Sequence, residues 1–313
     1  MISVSDFHAF EHITEYLAGV PYDTTPRALY TPETLYNGGH DAAVYAHFLA
    51  TGKHSCSEEE MLARALHDYG MDRALKAFLD RHDPMRMVGV MGGHGLPRTD
   101  TMFREIVRLS KRLTEQGALM VTGGGPGAME ATHLGAWLAG QRDAAVDEAL
   151  ATMAAAPSFG TDEWLDTAFS VRRRYPQHRY HSLGIPTWLY GHEPTTPFAT
   201  DIAKYFDNSI REDTILTIAY GGIIFTPGSA GTMQEIFQEA VQNHYLTFGI
   251  SSPMVFLGRQ FWTDDIPVFP FLEKLVSDGK YKNLRLTLTD SATEAIEALH
   301  LAPQEPEAAT DNA

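Results

Sequence analysis

Cysteine is almost missing from this chain: Cys56 is the single one among 313 residues. One thiol excludes an internal disulfide and a cysteine-rich zinc site. Basic residues are scarce too, 24 against 40 acidic ones, for a formal charge of −16. The mean field of such a chain repels phosphate backbones and anionic lipid, which speaks against nucleic-acid or membrane-surface binding. Any phosphate has to be held locally, by backbone dipoles and a few arginines. No apolar run approaches membrane-spanning length, and the opening MISVSDFHAF has no basic segment followed by an apolar one. A cytoplasmic, soluble protein is the expectation.

What is present is a patterned chain, 44% hydrophobic. Residues 1–83 read as a helical N-terminal extension. Within it Met61, Leu62, Leu66, Met71, Leu75 and Phe78 recur at near-helical spacing, with Gly70 as an expected break. Across 84–300 strands and helices alternate. MVGVMGG and ALMVTGGG are strands running into glycines, each followed by a helical stretch, the first closed by Gly117. A helical AAVDEALATMAAA and an irregular basic SVRRRYPQHRYHS come next. A strand is then expected at GIPTWLYG, a helix across ATDIAKYFDNSIREDTILTIAY and a strand at GGIIFTPG. PMVFLG and LRLTLT close the series as strands, each followed by a helix. The alternation predicts an α/β fold, a doubly wound and mainly parallel sheet of Rossmann-like type. Residues 301–313 read as a disordered acidic tail.

Three expected strands end in glycine: at Gly92 and Gly93, at Gly123, Gly124 and Gly125, and at Gly228. Ligands of open α/β sheets sit beyond the carboxyl ends of the strands. A single glycine there serves a tight turn; three converging on one rim suit an anion or nucleotide. GGGPGA also fits a loose dinucleotide pattern, but the acid it requires, Asp143, falls where no strand is expected, which argues against a nicotinamide dehydrogenase. After Pro227, Gly228, Ser229, Ala230 and Gly231, a helix is expected with Thr232 and Glu235 spaced like a capping box. The bland alternative for Glu235 is that cap; for Arg211 it is a solvated helix residue paired with Asp207 or Glu212.

GGGPGAME together with PGSAGTMQE resembles the paired GGGxxGxM and PGGxGTxxE turns of the LONELY GUY-type phosphoribohydrolases and the related bacterial nucleotide 5′-monophosphate nucleosidases. Gly123, Gly124, Gly125, Gly127 and Met129 match the first turn. Pro227, Gly228, Gly231, Thr232 and Glu235 match the second, with Ser229 replacing a glycine. The resemblance covers about residues 87–260. Arg211 is nearest to the family's arginine on the preceding helix, with Glu212 in place of lysine and one more residue before Pro227.

The resemblance implies hydrolysis of the N-glycosidic bond of a nucleoside 5′-monophosphate such as AMP, to free base and ribose 5-phosphate. It implies Glu235 and Arg211 as catalytic groups, no cofactor and no metal, and a homodimer. Together with the glycine turns it sets the expected substrate-binding residues: Gly92, Gly93, Gly123, Gly124, Gly125, Gly127, Met129, Glu130, Pro227, Gly228, Ser229, Ala230, Gly231 and Thr232. The alternative from another class is a nucleotide-binding or carrier protein with the same cradle and no turnover.

Four further features invite weighing. His8, Glu11 and His12 match a zinc-protease spacing by number, but a surface helix explains them better. Arg172, Arg173, Arg174 and Arg179 form a basic run, read first as a solvated face or subunit contact and second as an anion site. His192 and Glu193 fall on the expected ligand rim. Gln234, Gln238 and Gln242 line an uncharged polar face of the Glu235 helix, a surface suited to burial against a second subunit.

Overall fold

The computed structural model describes residues 13–299 and 301. The candidate metal motif of His8, Glu11 and His12, and the tail from 302 on, lie outside the described residues. Seven strands form one sheet: β1 Met87–Met91, β2 Leu119–Thr122, β3 Ser182–Gly184, β4 Asp201–Ile202, β5 Gly222–Phe225, β6 Pro253–Leu257 and β7 Arg285–Thr289. Their order is β4-β3-β2-β1-β5-β6-β7, and every pair is parallel. The chain runs outward one way from β1, then returns to start the other half at β5. The boundary between β1 and β5 is therefore the switch point, where a crevice opens beyond the strand ends.

Twelve α-helices accompany the sheet among the described residues. The first four are α1 Ile13–Gly19, α2 Pro32–Tyr36, α3 His40–Thr51 and α4 Glu58–Leu79. The next four are α5 Thr101–Glu115, α6 Ala128–Trp137, α7 Asp143–Met153 and α8 Asp162–Arg174. The last are α9 Asn208–Ile218, α10 Ala230–Tyr245, α11 Val268–Ser277 and α12 Ala292–Glu297. The central strands are buried on both faces, which is why they read as continuous apolar runs. Their residues alternate by face. Met87, Met91, Val121 and Phe225 share a core with residues of α4, α9, α10 and α11. Val88, Val90, Met120 and Ile224 pack with residues of α5, α6 and α12. Residues of the N-terminal extension join the first core, with Tyr22, Leu35, Phe48 and Met71 packed in one cluster with Trp188 and Phe206.

Four local expectations are corrected. The strand expected at GIPTWLYG lies earlier, at β3; Pro186 has no N–H for the ladder, and Trp188–Tyr190 forms a 3-10 turn capped by the Thr187 hydroxyl. The helix expected from Ala199 begins only at Asn208, because Ile202 pairs with Leu183's neighbour Gly184 on one side and with Tyr30 on the other. There tertiary pairing overrides helix propensity. The basic SVRRR stretch is the end of α8, which stops at Arg174 just before Tyr175–Pro176 would break it. Gly70 does not interrupt α4; a Cβ there would sit 2.7 Å from the Pro26 ring, so glycine admits the crossing chain.

Candidate active site at the sheet switch point

The carboxyl ends of β1, β2 and β5 lead into the three glycine turns, and these meet the N-terminus of α10. A cavity of about 210 Å³ opens there, walled by Gly92, Gly93, Gly123, Met129, Ser229, Gly231, Thr232, Arg211 and Glu235, together with His94, Tyr190, Glu193 and Glu212. Backbone hydrogen bonds lock the turns to one another: Gly93 N donates to the Pro227 carbonyl at 3.0 Å, and Ala128 N donates to the Gly93 carbonyl at 3.1 Å. Gly127, at φ 70°, has no room for a side chain, since a Cβ would lie 2.3 Å from the Gly93 carbonyl oxygen. Beneath β2, Thr122 Oγ1 accepts from Gly124 N at 2.9 Å and pairs with His133 Nε2 at 2.7 Å. Burial drives the His133 pKa down to about 3, so it braces the turn as a neutral ring.

α10 starts at Ala230, and its N-cap Ser229 makes no side-chain bond to the first turn. The first N–H groups of a helix have no intrahelical partners, so here they stand without a side-chain cap at the positive end of the helix dipole. Thr232 is thus inside the first turn rather than at the cap, and the capping box with Glu235 does not form. Gly231 is not in a left-handed conformation, and a Cβ built on it meets no atom within 4 Å.

Glu235 stands one turn further on, half-buried in the cavity wall. Burial pushes its carboxyl up to about 7; the Arg211 guanidinium opposes the shift and Glu212 adds to it. Arg211 projects from the first turn of α9. Its Nε donates to the Ile185 carbonyl at 3.2 Å, and its Nη2 lies 2.4 Å from where a Cβ on Gly123 would be. The bare loop after β2 is therefore what lets this cation lie flat against the rim. Its side chain is 14% exposed, so it is not a solvated residue, while the pairing with Glu212 is present at the long distance of 3.9 Å. Glu212 is itself held by the Asn208 amide at 2.6 Å and by Gln234 at 3.1 Å.

Of the expected binding residues, Gly124, Gly125 and Gly127 are buried behind the wall, whereas Pro227, Gly228 and the exposed Ala230 adjoin the cavity without forming its wall. Gly228 packs on Thr232, whose Oγ1 would be 2.2 Å from an added Cβ. Glu130 is the clear correction. It is buried, and Arg98 takes both its oxygens, at 2.5 and 3.0 Å, so this carboxylate does not face the cavity. Arg98 also donates to the carbonyls of Ala156 and Trp164, tying α6 to the segment before α8 and to the first turn of α8 itself. Glu193 does reach the wall, whereas His192 is not part of it and carries an exposed side chain, its Nε2 3.9 Å from Glu193 Oε1. His94, Tyr190 and Glu212 belong to the wall without having been singled out; His94 follows a strand-ending glycine pair, a signal that was available. The basic run is largely consumed inside the chain: Arg172 pairs with Glu33 at 2.6 Å and lies over Trp137, and Arg174 pairs with Glu148 at 2.5 Å. Among the described residues no cluster of three or more His, Cys, Asp or Glu could hold a metal ion, and no helix is long and apolar enough to cross a membrane.

These features define a Rossmann-like α/β protein with an acidic cavity at the switch point of its sheet. No family model matches the chain, and no curated protein is similar to it in sequence. Solved structures are similar in shape. One is the molybdenum cofactor binding protein from the phototrophic bacterium Rippkaea orientalis, at 16% identity and a TM-score of 0.41, over 67% of this chain and 93% of that one. Another is the X-ray structure of TM1055, at 18% identity and a TM-score of 0.42, over 68% and 96% of the two chains.

Proposed function

We propose that the protein hydrolyses the N-glycosidic bond of a nucleoside 5′-monophosphate, releasing free base and ribose 5-phosphate. The observation that carries this is one cavity in which the uncapped N-terminus of α10, Thr232, Arg211 and a carboxyl titrating near neutrality stand together. The 5′-phosphate takes the free N–H groups of α10 and the Thr232 hydroxyl. At about 210 Å³ the cavity is below the ~300–1,000 Å³ of sites that enclose a whole drug-sized ligand, so it takes the ribosyl phosphate and leaves the base toward the mouth. Tyr190, 42% exposed, and Glu193 stand at that mouth.

As the C1′–N bond breaks, its electron pair leaves with the base and the ribose becomes oxocarbenium-like. The Glu235 carboxylate stabilises that positive charge and takes a proton from the water that adds to C1′, while the departing base nitrogen takes up a proton from solvent; a pKa of about 7 suits the first task. Arg211 neutralises the phosphate or the departing base. The expected dimer is proposed to form through the far end of α10, where Val241, Tyr245, Leu246 and Phe248 are exposed together. The glutamine face is less suited, since Gln234 and Gln238 already bond Glu212 and Asp213 in the same chain.

A panel of nucleoside monophosphates, assayed for free base and ribose 5-phosphate, tests the reaction. AMP should be cleaved and adenosine, which lacks the phosphate, should be a far poorer substrate. Equal rates for the two would remove the phosphate cradle from the site. Tight nucleotide binding without any base release would make the protein a nucleotide carrier.

A further inference from the structure

A second cleft, of about 680 Å³, lies between the N-terminal extension and the start of α9. Its volume falls within the ~300–1,000 Å³ usual for small-molecule sites. One wall is α4, where Met61, Ala65 and Tyr69 follow at steps of four and so share a face. Met61 is 57% exposed and Tyr69 62%, a large apolar surface for positions that line a concavity.

Three carboxylates, Asp68, Asp72 and Asp207, line this cleft, beside Lys53, Arg64 and neutral polar groups such as Asn208. Its two strongest cations are spent within the chain. Arg64 donates to Glu60 at 2.7 Å and to the Thr51 hydroxyl at 2.7 Å, and lies over the Phe48 ring. Lys53 donates to the Leu189 carbonyl at 2.9 Å. Asp68 is satisfied by the backbone N–H groups of Phe206 and Asp207. Asp72 gives one oxygen to the Tyr205 hydroxyl, and Asp207 gives one to Ser209 N; both side chains belong to residues open to solvent at the cleft. Carboxylates beside engaged cations repel a phosphate and favour a ligand that donates hydrogen bonds, while Tyr69 and Met61 offer a stacking surface.

Opposite α4, two segments of this cleft continue into the first cavity. Leu189 lines the cleft, and the next residue, Tyr190, lines the cavity. Residues 206–210 line the cleft, while Arg211 and Glu212 line the cavity. Asn208 joins the two directly, as a cleft residue whose amide donates to Glu212 Oε1 at 2.6 Å.

We propose that this cleft is an effector site for an amino-substituted aromatic heterocycle of the free-base type, coupled to the switch-point cavity through Asn208 and the turn at Leu189 and Tyr190. An occupant that draws Asn208 toward itself loosens Glu212, and with it the electrostatic setting of Arg211 and Glu235. The site stands on the cleft's own chemistry; only the choice of a nucleobase as probe rests on the proposed ribosidase activity.

Calorimetric titration with adenine tests it. Wild-type protein should show an adenine site that Ala65→Trp, at an exposed position filling the cleft, weakens ~10-fold or more. Tyr69→Ala removes the stacking ring from another exposed position and should weaken the same site. Hypoxanthine, without the exocyclic amine, should bind there ~10-fold more weakly, since it loses a donor to Asp72 or Asp207. Adenine should also shift AMP affinity by ~5-fold or more in wild type and not in Ala65→Trp, a coupling of ordinary size. Equal adenine binding to wild type and Ala65→Trp, or none to wild type, overturns the site. Hypoxanthine binding as tightly as adenine overturns the assigned chemistry. Loss of adenine binding in the variants upholds the site even in a protein that cleaves no nucleotide.

Discussion

Glu235→Gln is the sharpest test of the proposed chemistry, because it keeps the shape of the side chain and removes only its charge. The carboxylate stands in the wall of a cavity whose one arginine is Arg211, with Glu212 beside it. Two unit charges ~4 Å apart at an effective dielectric of ~20 interact by ~4 kcal/mol, which sets the ceiling for stabilising a ribosyl cation. Each ~1.4 kcal/mol is tenfold in rate, so the ceiling is a ~10³-fold effect; measured losses of one such stabilising group run ~10²–10³-fold. We therefore expect kcat on AMP to fall ~10²-fold or more at pH 8, while AMP binding holds or tightens as a negative charge leaves the phosphate's surroundings. The pH dependence carries a second signature. With its carboxyl at about 7, wild-type Glu235 gains its charge as the pH rises through neutrality, so kcat/KM should climb from pH 6 to pH 8 and then level. In Glu235→Gln that limb should vanish. Rapid-quench measurement of ribose 5-phosphate across this range reads both. Wild-type turnover in the variant, or an unchanged limb, would refute the role given to Glu235.

Three other outcomes are expected. Gly231→Val adds a side chain where the protein places no atom within 4 Å, so the thermal midpoint should hold while AMP binding weakens ~10-fold or more; unchanged binding would move the phosphate elsewhere. Glu239 is buried one turn beyond Glu235 with one oxygen unpartnered, and burial lifts its carboxyl to about 7 despite hydrogen bonds from Ser252 and Asn243. The folded protein holds that proton where the unfolded chain has lost it, so stability should fall as pH rises from about 4.5 to about 7. Glu239→Gln should recover up to ~3 kcal/mol at pH 8 and little at pH 4.5, by denaturant titration; equal gains at both values would contradict the shifted carboxyl. Light scattering at micromolar concentration should give twice the 34.7 kDa of one chain, and Tyr245→Asp should lower it toward one; a fully active monomeric wild type would refute the dimer.

The central strands and their glycine ends were legible because each is buried on both faces and reads as an apolar run with a turn after it. β3 and β4 were not, since strands of three and two residues exist through their neighbours: Ser182 pairs with Met120, and Ile202 with Gly184 and Tyr30. The second motif brought Thr232 and Glu235 to one cavity wall because their spacing follows from one strand, one turn and one helix, and Arg211 joins them from the preceding helix. Tyr190 comes from another segment, so no local pattern announced it, and Glu130 was misplaced because its partner Arg98 lies 32 residues away. The scarcity of basic residues was the most informative absence. In a cavity holding Glu193, Glu212 and Glu235 against Arg211, side-chain charge alone would repel a nucleotide. On the proposed reading the backbone of α10 supplies the attraction, and its N-cap Ser229, which makes no side-chain bond to the first turn, leaves those N–H groups open. Burial above all, with Glu212 adding to it, holds Glu235 near neutrality, so one of the charges that resists the phosphate also tunes the proposed base.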